Sequence, residues 1–343
     1  MRKRTVTRTA GRAATGAAAT RTSTGVLRAR PAAALALLAA GAVVLTGGGA
    51  VGAAPTAATA ATAPQAAQQQ QQQQQEQGPA DTCDVYKSVP PSTEDGAAVK
   101  AIKAKRSLVI GVDQNSYRWG ARNPNTGQIE GFDIDLARAI GTALMGDPDK
   151  VVLKPVATAD RIDAVKKGRV DLIVRTMTIN CKRMEDVAFS KPYFNTTQRV
   201  LVPKASLAKT IDDAIKDRTV CAADGSTAQA VVTGKKTAQK VVTVENQLDC
   251  LVLMQLGKVD ATMTDTGLAA GQAAQDQTVR MVDGEAQPEV MGIAMLKESP
   301  DLTARVNQVL ADYYARGDWA RSYDHWLKPY MGNEADHYWP GTH

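Results

Sequence analysis

The chain is poor in the side chains on which most hydrolytic and metal chemistry depends. Its 343 residues contain three histidines, none before His325, so a Ser-His-Asp triad inside the body of the protein is excluded. Four cysteines, Cys83, Cys181, Cys221 and Cys250, are scattered without a C-x-x-C pair. A zinc centre draws on closely spaced Cys and His, so no metal site and no cofactor is expected. Acidic residues are missing from residues 1–54, which hold eight basic ones: Arg2, Lys3, Arg4, Arg8, Arg12, Arg21, Arg28 and Arg30. Eight positive charges of a net +6 sit there, and the remainder carries −2. A nucleic-acid binder concentrates its basic surplus on the folded body, so nucleic acid is excluded as a partner.

The basic start runs into "PAAALALLAAGAVVLTGGGAVGAAPT", the layout of a secretory signal with small residues at a cleavage point near Ala53 or Ala54. Residues 1–54 read either as that signal peptide or as an uncleaved anchor, because about 20 apolar residues span a bilayer. No cysteine follows the apolar run, so a lipid anchor on an N-terminal cysteine has no attachment point. Either reading places the body outside the cytoplasm, extracellular or at the outer face of the membrane. Residues 55–80 are Ala/Thr/Gln-rich with almost no apolar bulk and read as a disordered linker. For an exported chain an even number of cysteines suggests two disulfides, and the spacing leaves three pairings open.

From Ser107 the chain alternates strand and helix. "SLVIGV" is a β-branched strand. "FDIDLARAIGTALM", residues 132–145, repeats apolar residues at helical spacing. "VVLKPV" is a strand, "ATADRIDAVKKG" a helix stopped by Gly168, and "VDLIVRTMTI" a third strand. The pattern restarts with "RTVCAAD", "GSTAQAVVTG", "KVVTV", "ENQLDCLVLMQLG" and "VDATMTD". "MGIAMLK" adds a strand, and Ser299 with Pro300 opens C-terminal helices. Two α/β units with mostly parallel sheets flanked by helices imply two lobes and a cleft. Ligands of such sheets bind beyond the carboxyl ends of the strands. That rule nominates Asp113 to Tyr117, Thr176 to Arg183, Asp224 to Thr227, and Asp265.

Over about residues 105–330, "GFDIDLARAI", "DRIDAVKKGRVDLIVRTMTINCKRMEDVAFSKPYF", "ADGSTA" and "VDATMTDTGL" resemble the bacterial extracellular solute-binding proteins of family 3, in its order and spacing. The resemblance implies a two-lobed, type II periplasmic-binding-protein-like fold that closes about a hinge of two crossing segments, the first near Thr196–Val200. The implied organisation is lobe 1 over residues 81–198, lobe 2 over 199–290, and a return to lobe 1 with C-terminal helices over 291–343. It also implies a monomer that takes a free amino acid and delivers it to the permease of an ABC transporter. The aromatic tail "YMGNEADHYWPGTH" is expected to pack on lobe 1.

Residue roles follow from the resemblance. Arg183, after the T-x-T strand, matches the arginine that clamps the ligand α-carboxylate, a task its planar fork suits. Thr176 and Thr178, alternate residues of one strand, share a side and reach the carboxylate and ammonium. Asp265 matches the ammonium-binding aspartate. Gly225, Ser226 and Thr227 open a helix whose free amides suit the carboxylate. Arg161 matches the arginine that meets the side-chain carboxylate in glutamate/aspartate binders, which implies glutamate, with aspartate as a further ligand; Arg175 and Arg118 are weaker candidates. Tyr117 or Trp119 stands where relatives place a phenylalanine on the ligand. Asp113 either contacts the ligand's nitrogen or orients an arginine, and a pocket for an acidic side chain more naturally uses it to hold Arg161 or Arg183. A disulfide across the lobes would hinder closure, so Cys83–Cys181 and Cys221–Cys250 are the preferred pairs.

Two other functions compete with delivery to an importer. The same trap serves as a sensor of glutamate, aspartate, glutamine or asparagine that reports to a membrane signalling protein. A secreted dehydratase or other enzyme on this fold is more remote, since the acids of the cleft already have binding roles and no catalytic residue is left over.

Overall fold

The computed structural model describes residues 83–332 and 335–341; the expected leader and linker, residues 1–80, lie outside them. The first part of the chain holds α1 (Ala97–Ala104), β1 (Leu108–Val112), a small flap of β2 (Asn115–Ser116), β3 (Gly120–Arg122) and β4 (Ile129–Glu130), and then α2 (Phe132–Met145). It continues through β5 (Val151–Pro155), α3 (Arg161–Lys166), β6 (Leu172–Ile173), α4 (Cys181–Asp186) and β7 (Ala188–Phe189). The ten-residue β8 (Phe194–Pro203) leads into α5 (Ile211–Ile215), β9 (Thr219–Ala223), α6 (Thr227–Lys235) and β10 (Lys240–Val244). Next come α7 (Gln247–Gln255), β11 (Ala261–Asp265), α8 (Thr266–Gln275), β12 (Val279–Met281) and β13 (Ala286–Met291). The chain ends with β14 (Ala294–Met295), α9 (Pro300–Ala315), α10 (Asp318–Trp326), α11 (Lys328–Met331) and α12 (Ala335–Tyr338).

These elements make two lobes, each around its own sheet. The first sheet has the order β5-β1-β6-β14-β7, with β5 and β6 parallel to β1 and β14 antiparallel to its neighbours. The second has the order β10-β9-β11-β8-β12, with β13 also on β8. There the parallel trio β10, β9 and β11 meets an antiparallel β8. Two passages join the lobes. Phe194 belongs to the first core and Val200 to the second, so β8 crosses between them. β13 returns antiparallel beside it, Met291 opposite Phe194, and feeds β14 of the first sheet. The segment 196–200 expected at the first crossing lies inside β8.

Helix α2 occupies the span read from its apolar spacing and starts at Gly131, whose φ of +138° belongs to the region that favours glycine. A Cβ there would stand 2.5 Å from the Trp119 carbonyl. Pro300 opens α9 as expected, but Ser299 caps through its carbonyl, which accepts the Thr303 N–H, and makes no side-chain cap.

The third strand departs from expectation. Only Leu172–Ile173 pairs with β1. Thr176, at φ +40°, bends the chain out of the first sheet. Thr178 then bridges Met291, and Ile179 N–H donates to the Val290 carbonyl at 2.8 Å. The residues expected at the end of a lobe strand are therefore stitched to the returning hinge strand.

The first core is an aromatic block. Trp119, Phe132, Phe194 and Trp319 pack edge to face, with Trp119 and Phe194 centroids 4.8 Å apart, and such pairs add about 0.5–1.5 kcal/mol beyond buried area. The tail closes over it: Tyr338 stacks on Phe194 at 5.2 Å, Trp339 packs on Tyr314, and Asn195 Nδ2 donates to the Trp339 carbonyl. Cys83–Cys181 and Cys221–Cys250 are the two disulfides, each within one lobe, as preferred from the sequence.

Candidate functional site

Between the lobes lies a cavity of about 30 Å³ whose walls carry three guanidinium groups, Arg161, Arg175 and Arg183. All three are buried, and what each touches separates their roles.

Arg175 is matched. Its Nη2 lies 3.2 Å from Asp113 Oδ2. Asp113, in the turn after β1, is fixed by the N–H groups of Gln114 and Asn115 and by the Ser116 hydroxyl at 2.6 Å. Asp113 thus holds Arg175, where Arg161 or Arg183 was expected, because the kink at Thr176 brings Arg175 to the strand end.

Arg161, in the first turn of α3, donates through Nε to the Thr158 carbonyl (2.8 Å) and through Nη1 to the Arg175 carbonyl (3.3 Å). Among the described residues no carboxylate lies within ion-pair distance of it. Burial, and then the neighbouring Arg183 and Arg175 cations, hold its pKa well below the usual guanidinium value. This is the signature of a cation desolvated without its anion.

Arg183 sits on α4, whose N-cap Asn180 accepts the Arg183 N–H at 2.9 Å. Its guanidinium spans the cleft, with Nη1 donating to the Thr178 carbonyl (2.7 Å) and Nη2 to the Gly225 carbonyl of the other lobe (3.0 Å). Burial lowers its pKa to about 10, with Glu289 opposing the shift.

The hydroxyls meet across the cleft. Thr178 Oγ1 lies 3.4 Å from Thr227 Oγ1, and both donate to Glu289 Oε2, at 2.7 and 3.1 Å. Gln198 Nε2 donates to the same carboxylate oxygen at 2.9 Å and to Thr227 Oγ1 at 3.0 Å. Asp265 ends β11 and caps α8 through Leu268 N–H at 3.0 Å; burial, with Glu289 adding to it, pushes its carboxyl up to about 7.

Of the residues nominated from the sequence, Asp113, Arg161, Thr176, Thr178, Arg183, Ser226, Thr227 and Asp265 line this one cavity. Thr176 and Thr178 do so across a kink, not by strand alternation, and Thr176 is held there by Asp133, whose Oδ2 accepts its N–H at 2.8 Å. Gly225 contributes its carbonyl to Arg183. Its N–H is engaged by Gln229 Oε1 at 2.7 Å, and the Ser226 N–H by the Ala223 carbonyl, so these amides are not free for an anion as expected.

Tyr117 is not in the cavity wall. The residue is 36% exposed and its ring faces Tyr330 and the Arg118 guanidinium, which also removes Arg118 from the site. Trp119 is sealed in the first core. Leu268 supplies apolar wall instead.

The sequence reading missed Gln198, Gln247, Thr158 and Thr264 in the wall, and Glu289 behind it. The two on the crossing strands had a signal: the glutamine of "NTTQRVLV" and the lone acid in "PEVM" are polar intrusions into the hinge. A larger crevice of about 730 Å³ flanks the hinge and shares Thr178 and Thr227 with the cavity, but the guanidinium groups face the smaller space.

A family profile described as bacterial extracellular solute-binding proteins, family 3, matches residues 108–329. The chain belongs to this family. Among its relatives, the glutamine-binding protein of Geobacillus stearothermophilus is 36% identical over 211 residues, 61% of this chain and 80% of that protein. Glutamate-binding protein GluB of Corynebacterium efficiens is 28% identical over 240 residues, 67% of this chain and 81% of that protein. A crystal structure of the solute receptors for L-cysteine of Neisseria gonorrhoeae superposes with a TM-score of 0.65 at 29% identity, covering 69% of this chain and 96% of that one. The site of this family-3 protein is therefore read as a solute pocket between type II lobes.

Proposed function

We propose that the protein binds a free acidic amino acid, glutamate first and aspartate second, outside the cytoplasm and passes it to an ABC importer without chemical change. The observation that carries the reading is charge complementarity. Arg175 is neutralised by Asp113, whereas among the described residues Arg161 and Arg183 have no carboxylate at ion-pair distance. Two unmatched guanidinium groups beside one desolvated carboxyl at Asp265 are the charge complement of an amino acid with two carboxylates and one ammonium. A bound carboxylate relieves the desolvation of Arg161, and a neutral amide leaves it buried and uncompensated. The acids of the cavity are engaged, Asp113 by Arg175 and Asp265 by the α8 cap, which supports binding over catalysis.

Glutamine is the second reading. The glutamine-binding relative named above has a higher identity to this chain than the glutamate-binding one, and two of the Arg161 donors are already given to backbone carbonyls. A thermal-shift screen of the purified protein against the twenty amino acids separates the two. At one hundred times the dissociation constant a ligand stabilises by about 2.7 kcal/mol, about 5 °C or more for a protein of this size. The shift is expected with glutamate and aspartate; a shift with glutamine alone overturns the acidic reading.

A further inference from the structure

The two strands that cross between the lobes carry a polar pair that the roles above leave unused. Gln198 lies on β8 directly opposite Asp265 of β11 in an antiparallel register. Residues so paired project from the same face with Cβ atoms about 5 Å apart, and both line the cavity. The Gln198 amide is oriented by what surrounds it: its Nε2 donates to Glu289 Oε2 and to Thr227 Oγ1. A flipped amide would set its oxygen against the Glu289 carboxylate, acceptor on acceptor. The orientation is therefore fixed by Glu289, and the carbonyl end, Gln198 Oε1, is buried with no hydrogen-bond partner among the described residues. A buried acceptor left unpaired is destabilising, so a donor arriving with the ligand would recover that loss.

We infer that Gln198 is a ligand-binding residue of the hinge, whose Oε1 accepts a hydrogen bond from the α-ammonium of the bound amino acid beside the Asp265 carboxylate, with Glu289 as the positioning residue that aims it. An ammonium carries three N–H donors. Asp265 spends one oxygen on the Leu268 N–H, and the amide across the strand supplies a second acceptor on the same face. The arrangement also ties the ammonium to both lobes, because Glu289 Oε2 receives Thr178 from the first lobe and Thr227 from the second. Occupancy of the ammonium position thus bears on the same network that holds the lobes together. This inference rests on the pocket being an amino-acid pocket, and on the acidic reading only for the choice of probe.

The test compares glutamate with glutarate, which has both carboxylates and no amine, on the wild type and on Gln198→Met. The expected result is that Gln198→Met lowers glutamate affinity at least tenfold while glutarate affinity changes by less than twofold. Equal weakening of both ligands, or no change in either, overturns the inference, because an effect transmitted through hinge structure alone would not distinguish the amine. If Gln198→Met does not fold, the exchanged pair Gln198→Glu with Glu289→Gln decides. It preserves an acceptor facing the cavity and a donor-acceptor contact behind it, so the preference for glutamate over glutarate is retained, and its loss in the folded variant overturns the inference. Should the wild type bind glutamine and not glutamate, the acidic reading falls, and glutamine against glutaramate makes the same test of Gln198.

Discussion

Asp113 and Arg175 form a buried ion pair, 3.2 Å between Oδ2 and Nη2, that sets the charge state of the whole cavity. It removes one of three cations from the ligand's reach and leaves Arg161 and Arg183 for carboxylates. Asp113→Ala would strand Arg175 without an anion and release the Ser116 hydroxyl. Breaking such a pair from one side costs about 3–5 kcal/mol. Urea unfolding should show a lowered midpoint at an unchanged slope; a loss below about 1 kcal/mol would contradict this account.

Asp265 gives the binding step a pH dependence of known sign. Burial holds its carboxyl at about 7, so in the free protein it is largely neutral at pH 5. An ammonium requires the carboxylate, so affinity for the amino acid should rise with pH between 5 and 7, level off above, and be accompanied by release of a proton. Glutarate, without an amine, should show no such rise. Calorimetry in buffers of different ionisation enthalpy measures the proton directly.

The ligand-free protein should behave in the opposite sense over the same window. Asp133 is also raised to about 7 by burial, and an unfolded Asp titrates near 3.9. The folded state therefore holds protons that the unfolded state has lost, and the stability they confer, complete below about pH 4, is lost as pH rises through 7. Chemical denaturation at pH 5 and pH 8 should show that decline, and saturating glutamate should reduce it by drawing Asp265 into its charged form.

Gly267, in the first turn of α8, is a seat for Trp119. A Cβ on it would fall 2.2 Å from Trp119 Cζ2, inside a fully buried indole of the first core. Gly267→Ala pushes the second-lobe helix off the first lobe, so ligand affinity should fall about tenfold or more. Small-angle scattering should show a weaker ligand-induced compaction than in the wild type. Full affinity in the variant would mean that the lobes close without that seat.

The Cys83–Cys181 disulfide fixes the chain at the first residue of α4, two residues before Arg183. Replacing both cysteines by serine should cost about 2–5 kcal/mol of stability and weaken carboxylate binding severalfold, because the clamp must then be ordered by the ligand. Thermal melts and titrations of the double variant measure the two effects. Unchanged affinity would show that the Asn180 cap and the Thr178 and Gly225 carbonyls position the clamp without the disulfide.

The elements with strong periodicity were legible in the sequence: α2 falls on residues 132–145 as read, and β10 on 240–244. The disulfide partners followed from lobe membership once the resemblance supplied the lobes. What sequence did not disclose depends on long-range geometry. The run 170–179 has strand composition throughout, yet Asp133, more than forty residues earlier, takes the Thr176 N–H and turns the chain. Asp113 could pair with any of three arginines, and only the kink decides for Arg175. Gln198 and Glu289 show in the sequence only as polar residues near the hinge, and the partners that give them a role lie on other elements. Position in the chain nominates Tyr117 or Trp119 for the ligand without choosing between them, and the tilted contact of Tyr117 with Tyr330, residues far apart in sequence, has no local signal.

Calorimetric titration of glutamate and glutamine into the wild type and Arg161→Ala tests the central claim, that an unmatched Arg161 selects a second carboxylate. The account predicts that the wild type prefers glutamate by at least tenfold and that Arg161→Ala abolishes the preference, mainly through loss of glutamate affinity. Equal binding of the two ligands by the wild type, or a preference that survives the substitution, would contradict it.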